Sequence, residues 1–275
     1  MKKINEELKI SIICPIFNAE NYICHTLDSI INQSHDNIEI IIIDGGSSDS
    51  TLSLLEDYKS NINTLVSESD NGMYDALVKG FKLATGDILC YLNAGDFIYP
   101  HAFETVADIF TKHDISWITG YRSVCNEKNI ITHVDLPFRY TSSLIRVGAY
   151  GKTLPYIQQE STFWRKSILD AVDLEYLRQL KLAGDYYLWW SFSNKHQLEV
   201  ISSPIGVFKK HSGQLSENLS QYNREISDFV NRKNVFHWIQ EAFEIIFWAL
   251  HPKLRAMFFK SVLEFDHKRN VWKKT

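Results

Sequence analysis

The apolar residues of the first 120 positions alternate between two spacings, and this alternation predicts the fold class. Short apolar runs bounded by turn residues are typical of strands that are buried on both faces. Between these runs, apolar residues recur every three or four positions, as they do in amphipathic helices. The predicted strands cover residues 10–14, 38–43, 64–66, 88–92 and 115–119, and the predicted helices cover 20–32, 50–59, 73–85 and 100–112. This order predicts an α/β fold with a mostly parallel, doubly wound sheet flanked by helices.

The pattern changes in the rest of the chain, where it predicts a helical C-terminal end. Residues 122–156 are irregular, and periodic segments return at 160–169 and 183–193. From residue 221 onward the apolar spacing is helical, Pro252 interrupts it, and a second helical stripe runs from 254 to 265. The sequence therefore predicts one compact domain with a C-terminal helical extension.

The most unusual residues of the chain follow the predicted strands, at 15–18, 44–47, 67–72 and 93–96. In a parallel sheet the carboxyl ends of the strands lie along one edge, where ligands of such folds bind. Asp44 can hydrogen-bond a base or ribose there, although capping of the next helix by residues 47–49 would need no ligand. Asn93 and Asp96 offer the hard oxygen ligands that Mg²⁺ and Mn²⁺ prefer. The alternative role of Asp96 is to cap the helix that starts near Pro100.

Composition and charge exclude several classes of protein. With 45% hydrophobic and 23% charged residues, the chain is neither disordered nor a multi-span membrane protein. Residues 1–115 hold 7 Lys, no Arg and 18 Asp or Glu, whereas residues 116–275 hold 22 Lys or Arg and 15 Asp or Glu. This division argues against a duplex nucleic-acid binder, whose basic residues gather on one reading surface. It also indicates that a diphosphate bound by the acidic half would need a divalent cation to neutralise it.

Other sequence features bear on the location of the protein and on its cofactor. The N-terminus lacks the apolar stretch of a signal peptide, and the longest apolar run, 245–250, is too short to span a bilayer. The four cysteines form no CxxC pair, which is typical of a reduced, cytoplasmic protein without a metal–thiolate site. Neither a G-x-G-x-x-G nor a P-loop motif is present, so we do not expect a hydride-transfer enzyme.

As a linked set, the motifs resemble the inverting glycosyltransferases of family 2, which have the GT-A fold. The resemblance begins with SIICPIFNAENYICHTLDSI and IEIIIIDGGSSDST. The segment SESDNGMYDALVKGFKLATGDILCYLNAGD is similar to the branch that builds bacterial surface polysaccharides, and QQESTFWRKSIL and LAGDYYLWW continue the match over residues 9–215. The resemblance implies a GT-A (Rossmann-like) catalytic domain over 1–215, with a nucleotide-sugar-binding half (1–115) and an acceptor half (116–215). The helical extension would cover 216–275.

The resemblance also implies roles for individual residues. Asp185, in LAGDYY, would be the catalytic base that takes the proton of the acceptor hydroxyl, and its alternative role is a helix N-cap. Asp96, with His211 from a later loop, would hold the divalent cation, Mn²⁺ or Mg²⁺, that stabilises the leaving diphosphate. The implied nucleotide-binding residues are Pro15, Phe17, Asn18, Glu20, Asp44, Asp70, Gly72, Lys79 and Asn93. The implied acceptor-side residues are Gln158, Gln159, Glu160, Trp164 and Trp189, although a tryptophan more often belongs to the core than to a sugar-stacking surface.

Three motifs depart from the family pattern. Val78 stands where the family pattern has Asn ahead of Lys79 and Gly80. Asn93 and Gly95 stand where the metal motif usually has carboxylates, so Asp96 alone would serve the metal. Gly184 replaces an acidic neighbour that often precedes the catalytic base.

The predicted function is transfer of a sugar with inversion, from a nucleotide-diphosphate sugar to a glycan or lipid-linked acceptor, in surface polysaccharide biosynthesis. The expected enzyme is of hexosyltransferase type and the expected donor is a UDP-sugar. One alternative is a non-catalytic nucleotide-sugar-binding subunit of a polysaccharide assembly complex, and another is a nucleotidyltransferase.

The tail from Arg224 combines aromatic residues with an excess of basic ones, 10 Lys or Arg against 6 Asp or Glu. Its helices could lie on a membrane surface, form a homodimer or pack on the domain. The expected location is the cytoplasm, peripheral on the inner face of the membrane, with no nucleic-acid partner.

Overall fold

The computed structural model describes residues 7–214, 217–251, 254 and 261–275, and the strands within them form two sheets. In chain order the strands are β1 (Ile10–Ile16), β2 (Ile38–Asp44), β3 (Thr64–Ser67), β4 (Ile88–Tyr91), β5 (Phe97–Ile98), β6 (Trp117–Thr119), β7 (Arg122–Cys125), β8 (Ile131–Asp135), β9 (Thr162–Arg165), β10 (Leu198–Ile201), β11 (Gly206–Lys209), β12 (Val262–Asp266) and β13 (Val271–Lys274). The larger sheet has the strand order β13-β12-β10-β6-β9-β4-β1-β2-β3, and the smaller one has the order β5-β11-β7-β8.

Helices cover both faces of the larger sheet. They are α1 (Ile23–Ile31), α2 (Thr51–Leu55), α3 (Met73–Leu83), α4 (Ala102–Lys112), α5 (Ser142–Arg146), α6 (Leu174–Leu177), α7 (Gly184–Phe192), α8 (Leu219–Phe229) and α9 (Val235–Ala249). One apolar core contains residues of α3 and α7, and a second contains residues of α1 and α4. The strand–helix order predicted for the first 120 residues is therefore confirmed, as is a mostly parallel sheet flanked by helices.

The pairing of the strands explains where the two halves of the chain meet. β1 pairs in parallel with β2 and β4, and β2 pairs in parallel with β3, so the carboxyl ends of these four strands share one edge. β9 lies antiparallel between β4 and β6 and joins the halves, with Trp164 opposite both Leu89 and Trp117. Apart from the half-buried Ile38, the isoleucines of β1 and β2 are buried on both faces, which is the reason for their continuous apolar runs.

The C-terminal end combines helices with a hairpin that the sequence pattern did not predict. α8 and α9 confirm a helical extension. The prediction of a helical stripe through Val262 and Phe265 is wrong, because both residues lie in β12, which pairs in parallel with β10 and antiparallel with β13. Leu263 and Trp272 bury their side chains in the second core, so the open edge of β10 determines the conformation of this segment. Residues 255–260 of the predicted stripe lie outside the described residues.

Candidate active site

The loops after β1 and β2 are tied together at the carboxyl edge of the sheet. The N–H of Asn18 donates to Ser47 Oγ at 2.8 Å, and Asn18 Oδ1 accepts the N–H of Ser48 at 2.9 Å. Glu20 Oε2 accepts the N–H of Ser50 at 2.9 Å. Asn18 and Glu20 therefore lie at the predicted edge, where they fix the shape of the neighbouring loop.

Asp44 ends β2 and is fully buried. Its carboxylate accepts the hydroxyl of Ser67 at 2.6 Å, the N–H of Gly46 at 3.2 Å, and both the N–H and the hydroxyl of Ser47. These bonds satisfy the oxygens inside the loop, so Asp44 organises the carboxyl edge. Direct contact between Asp44 and a nucleoside stays a prediction.

The loop after β3 lies against the loop after β2. A Cβ atom at Gly45 would stand 2.8 Å from Asp70 Oδ2, so the carboxylate of Asp70 packs directly over this glycine. Asp70 Oδ1 accepts the N–H of Gly72 at 2.8 Å, and Gly72 has a φ of 116°, which favours glycine. Lys79 forms an ion pair with Glu68 at 2.7 Å. The structure thus brings Asp70, Gly72 and Lys79 to the edge that the sequence predicts.

Two residues at the end of β1 differ in their exposure. Phe17 is 63% exposed, which leaves its ring free to stack on a planar group. Pro15 is buried within β1 opposite Ile43, so its side chain shapes the strand and does not face solvent.

Asp96 lies buried beneath the turn that follows β4. Its side chain is 3% exposed, and its Oδ1 accepts the backbone N–H of Lys209 at 2.8 Å. Its carboxyl group also faces that of Glu160. Burial raises the pKa of both carboxyl groups, and the charge of Glu160 raises the pKa of Asp96 further. Such a pair favours one proton held between its two members.

A cation and two rings lie over the same turn. A Cβ atom at Gly95 would contact Tyr22 at 3.7 Å and the Lys209 side chain at 3.8 Å. Lys209 Nζ lies 5.5 Å from the centroid of the Tyr22 ring, and the ring of His211 stacks on Tyr22 at 4.6 Å. Lys209 and His211 therefore lie beside the turn after β4, and a metal contact of His211 stays a prediction.

The described residues do not fit a metal centre held by the protein. Within the described ranges, no group of three His, Cys, Asp or Glu side chains converges in a way that could hold an ion. Asp96 engages one oxygen with Lys209 and turns toward Glu160, and Gly95 offers no ligand. Asn93 contributes one buried oxygen without a hydrogen-bond partner among the described residues. A Mn²⁺ or Mg²⁺ ion at this edge would need most of its ligands from outside the protein, so the predicted cofactor stays a prediction.

Asp185 lies in the first turn of α7 and is partly buried among tyrosines. The hydroxyl of Tyr222 donates to its two carboxylate oxygens at 3.2 and 3.3 Å, and Asp185 Oδ1 accepts the N–H of Tyr186 at 2.7 Å. Its backbone N–H donates to the hydroxyl of Tyr74 at 3.3 Å. Burial raises the pKa of Asp185 to about 6, and the bonds from Tyr186 and Tyr222 oppose that rise. The carboxylate is therefore ionised at pH 7 and basic enough to accept a proton.

Residues from α3 and α8 build the surroundings of Asp185, and the sequence did not identify them. Glu225 of α8 accepts the backbone N–H groups of residues 181–183, two of them at 2.9 Å, just before α7 begins. A Cβ atom at Gly184 would stand 2.4 Å from the Tyr74 ring, so glycine is needed for this ring to pack there. The only feature of the sequence that could have pointed to Tyr222 and Glu225 was their i, i+3 spacing, which places them on one face of a predicted helix.

The predicted acceptor-side polar residues lie inside the fold. Gln158 is 1% exposed and its amide exchanges two hydrogen bonds with the backbone of Ser123, so it fixes β7. Gln159 is bonded to the backbone carbonyl of Tyr91 at the end of β4. Glu160 is buried beside Asp96. Gln159 and Glu160 therefore support the turn after β4, and Gln158 does not face an acceptor.

The prediction that Trp164 and Trp189 line the acceptor side is wrong. They are 0% and 1% exposed, and their ring centroids lie 5.7 Å apart in the core between the sheet and α7. Trp117 stacks on Trp189 at 5.6 Å and closes this cluster. A fully buried indole cannot stack on a sugar, so these residues stabilise the core.

The fold and the carboxyl edge define a class of protein, the GT-A glycosyltransferases. TarS from S. aureus, solved as residues 1–349 in complex with UDP-GlcNAc, superposes with a TM-score of 0.64 at 16% identity. The alignment covers 91% of this chain and 78% of that chain. Residues 11–172 match the model of Glycosyl transferase family 2, and the chain belongs to this family.

Relatives with curated names are also glycosyltransferases. WfgD from Escherichia coli, a UDP-Glc:alpha-D-GlcNAc-diphosphoundecaprenol beta-1,3-glucosyltransferase, is 25% identical over 79% of this chain and 82% of its own length. An uncharacterized glycosyltransferase of Rickettsia typhi is 28% identical over 70% of this chain, which spans 61% of that relative. Chondroitin synthase from Escherichia coli is 31% identical over 45% of this chain, and the match spans 19% of that enzyme.

Proposed function

We propose that this chain is an inverting glycosyltransferase of hexosyltransferase type, which transfers a sugar from a UDP-sugar to a saccharide or lipid-linked acceptor. The observation that carries the proposal is Asp185, a partly buried carboxylate with a pKa raised to about 6 and oriented by Tyr222. The UDP-GlcNAc in TarS and the diphosphoundecaprenol acceptor named for WfgD support the choice of donor and acceptor. Surface polysaccharide biosynthesis on the cytoplasmic side of a membrane is the setting that this reaction implies.

The donor would lie along the carboxyl edge of β1 to β4. The exposed ring of Phe17 offers a stacking surface for the base, and Asp70 and Asn93 offer polar groups for the nucleoside. Lys79 lies at the same edge. The side chain of Lys209 packs beside Gly95 and is 7% exposed, and its ammonium group would supply positive charge for a diphosphate bound by the acidic half of the chain.

The chemistry assigned to the protein is a single proton transfer. Asp185, ionised at pH 7, would accept the proton of the acceptor hydroxyl while that oxygen attacks the anomeric carbon. The new carbon–oxygen bond forms as the bond to the diphosphate breaks, and UDP departs with the electron pair. Attack from the face opposite the diphosphate inverts the anomeric configuration. These steps assign roles to the residues of the chain and to the substrates, and the predicted divalent cation stays a prediction.

Replacing Asp185 with Asn tests the proposal. We expect UDP release from UDP-glucose or UDP-N-acetylglucosamine, measured with a diphosphopolyprenyl-sugar acceptor, to fall about 100-fold or more. The thermal shift produced by UDP should persist, because Asp185 is not assigned to the donor site. Asp173→Asn is the matched control, since Asp173 caps the start of α6 by accepting the N–H groups of Glu175 and Tyr176. An Asp185→Asn variant with unchanged turnover would overturn the assignment of the base.

A non-catalytic nucleotide-sugar-binding subunit is the second candidate, and the turn after β4 favours it. Asn93 and Gly95 occupy positions where the family pattern has carboxylates, and Asp96 is buried. Thermal shifts with a panel of UDP-, GDP- and dTDP-sugars, with and without Mn²⁺, separate the two candidates when paired with the release assay. Donor binding without UDP release under any of these conditions would favour the subunit.

A further inference from the structure

α9 buries its polar side and exposes its apolar side, the reverse of a helix on the surface of a soluble protein. Successive residues of an α-helix are rotated by about 100°, which places the exposed positions of α9 on one half of its circumference. This outer half carries only Val, Ile, Phe, Trp and Ala. Phe236, Trp238, Phe243 and Ile246 are each more than half exposed, at 66%, 60%, 56% and 58%.

Charge pairs fix the inner half of α9 to the domain. Glu244 is fully buried and pairs with Arg139, with 2.8 Å between the carboxylate and Arg139 Nε. Glu241 is 2% exposed and pairs with Lys233 at 2.6 Å. Buried carboxylates are strongly destabilising without their partners, so the helix cannot rotate its apolar half inward without breaking both pairs. The outward orientation of the apolar half is therefore built into the fold.

The charges around the outer half identify its partner. Glu241 and Glu244 are the acidic residues of α9, and both point inward, so the outer half carries no carboxylate. Arg232 is exposed just before the helix, and Lys253, Arg255 and Lys260 follow it in the sequence. A second copy of this surface would supply no carboxylate to pair with Arg232. An anionic lipid surface complements the apolar half, the exposed Arg232 and the excess of basic residues in the sequence of the tail.

We propose that α9 docks flat on an anionic phospholipid bilayer, with its outer half among the headgroups and the first acyl carbons. Within the described ranges, no helix has the length and hydropathy required to cross a bilayer. This inference stands independently of the transfer reaction.

The docked helix would be directly connected to the surroundings of Asp185. α9 follows α8 after residues 230–234, and α8 supplies Tyr222 and Glu225 to the Asp185 region. Trp248 of α9 also packs against Tyr140, with 5.8 Å between ring centroids. A chain held on the bilayer by α9 would therefore keep Asp185 near the membrane surface, where lipid-linked molecules are found.

Co-sedimentation of the full chain with vesicles tests the proposal. We expect binding to vesicles of phosphatidylcholine mixed with phosphatidylglycerol, and weakening of that binding as salt is added. The double variant Ile239→Ser/Phe243→Ser should lower the vesicle partition coefficient about tenfold or more. The matched control is Leu65→Ser/Leu83→Ser, which removes two exposed apolar side chains from β3 and α3 and should bind like the parent chain.

A second measurement reports which side of α9 meets the lipid. Lipids brominated in the acyl chains should quench tryptophan fluorescence of the parent chain, and Trp238→Phe should remove most of that quenching. Circular dichroism should show unchanged unfolding temperatures, because the substituted residues are exposed. The proposal is overturned if the double variant binds as the parent does. It is equally overturned if the parent ignores vesicles and forms a dimer that the double variant loses.

Discussion

Asp185 illustrates at the scale of a residue how the surroundings set the chemistry of a side chain. Its position in LAGDYY identified it, but its basicity comes from burial opposed by hydrogen bonds from Tyr186 and Tyr222. Gly184, which departs from the family pattern, is explained by the Tyr74 ring that fills the space where a side chain would be. The glycine that stands in place of an acidic residue of the family pattern is therefore required by the packing of the Tyr74 ring.

The pH dependence of transfer should report the pKa of Asp185. A base must be deprotonated, so activity is present above the pKa and is lost as the pH falls through about 6. Below that pH, kcat/KM should fall about tenfold per pH unit. Tyr222→Phe removes a donor that stabilises the charged carboxylate, so this acid limb should move upward by about one pH unit.

Tyr58→Phe is the control for this measurement, because the Tyr58 hydroxyl donates to another carboxylate, Asp28, at 2.9 Å. Its profile should coincide with that of the parent enzyme. An acid limb that stays in place in Tyr222→Phe would show that the tyrosine does not act on Asp185.

At the scale of elements, α8 belongs to the site although the resemblance stops before it. The predicted boundary after residue 215 separates α8 from the catalytic domain and stays a prediction. Ile226 of α8 is nonetheless fully buried in the core that contains α7. Tyr222 and Glu225 reach the start of α7 from the same helix. An element that sequence comparison assigns to an extension thus positions Asp185.

Glu225→Gln should lower both stability and activity. Its carboxylate accepts three backbone N–H groups at residues 181–183, and a neutral amide with one accepting oxygen can replace only part of that interaction. We expect a loss of about 1–3 kcal/mol in the free energy of unfolding, measured with urea, and a lower kcat. Asp228→Asn, an exposed position on the same helix, should change neither quantity. Equal effects of the two substitutions would contradict this role of Glu225.

At the scale of the whole molecule, the C-terminal hairpin is part of the main sheet. β12 extends the sheet from β10, and Trp272 of β13 is 9% exposed and lies 5.4 Å from Phe265 between ring centroids. The strands at this end of the larger sheet therefore come from residues that lie more than 60 positions after β10 in the sequence. This arrangement predicts one cooperative unit that includes the last residues of the chain.

Trp272→Ala tests this cooperativity. Removal of a buried tryptophan should lower the free energy of unfolding by about 3–5 kcal/mol in a single transition, followed by circular dichroism during urea denaturation. Val271→Ala, at a 40% exposed position of the same strand, should have a small effect. A main transition unchanged by Trp272→Ala would mean that the hairpin folds separately from the domain.

The sequence by itself determined the βα order of the first 120 residues, because each strand and helix there carries its own apolar period. It also placed Phe17, Asp44 and Asp70 at one edge, since strand ends in a parallel sheet meet there. Only the tertiary structure decided the features that need a partner from elsewhere in the chain. Trp189 lies in the core because it packs against Trp117 and Trp164, which come from β6 and β9. β12 is a strand because it pairs with the edge of β10. α9 faces its apolar half outward because its two buried carboxylates pair with Arg139 and Lys233.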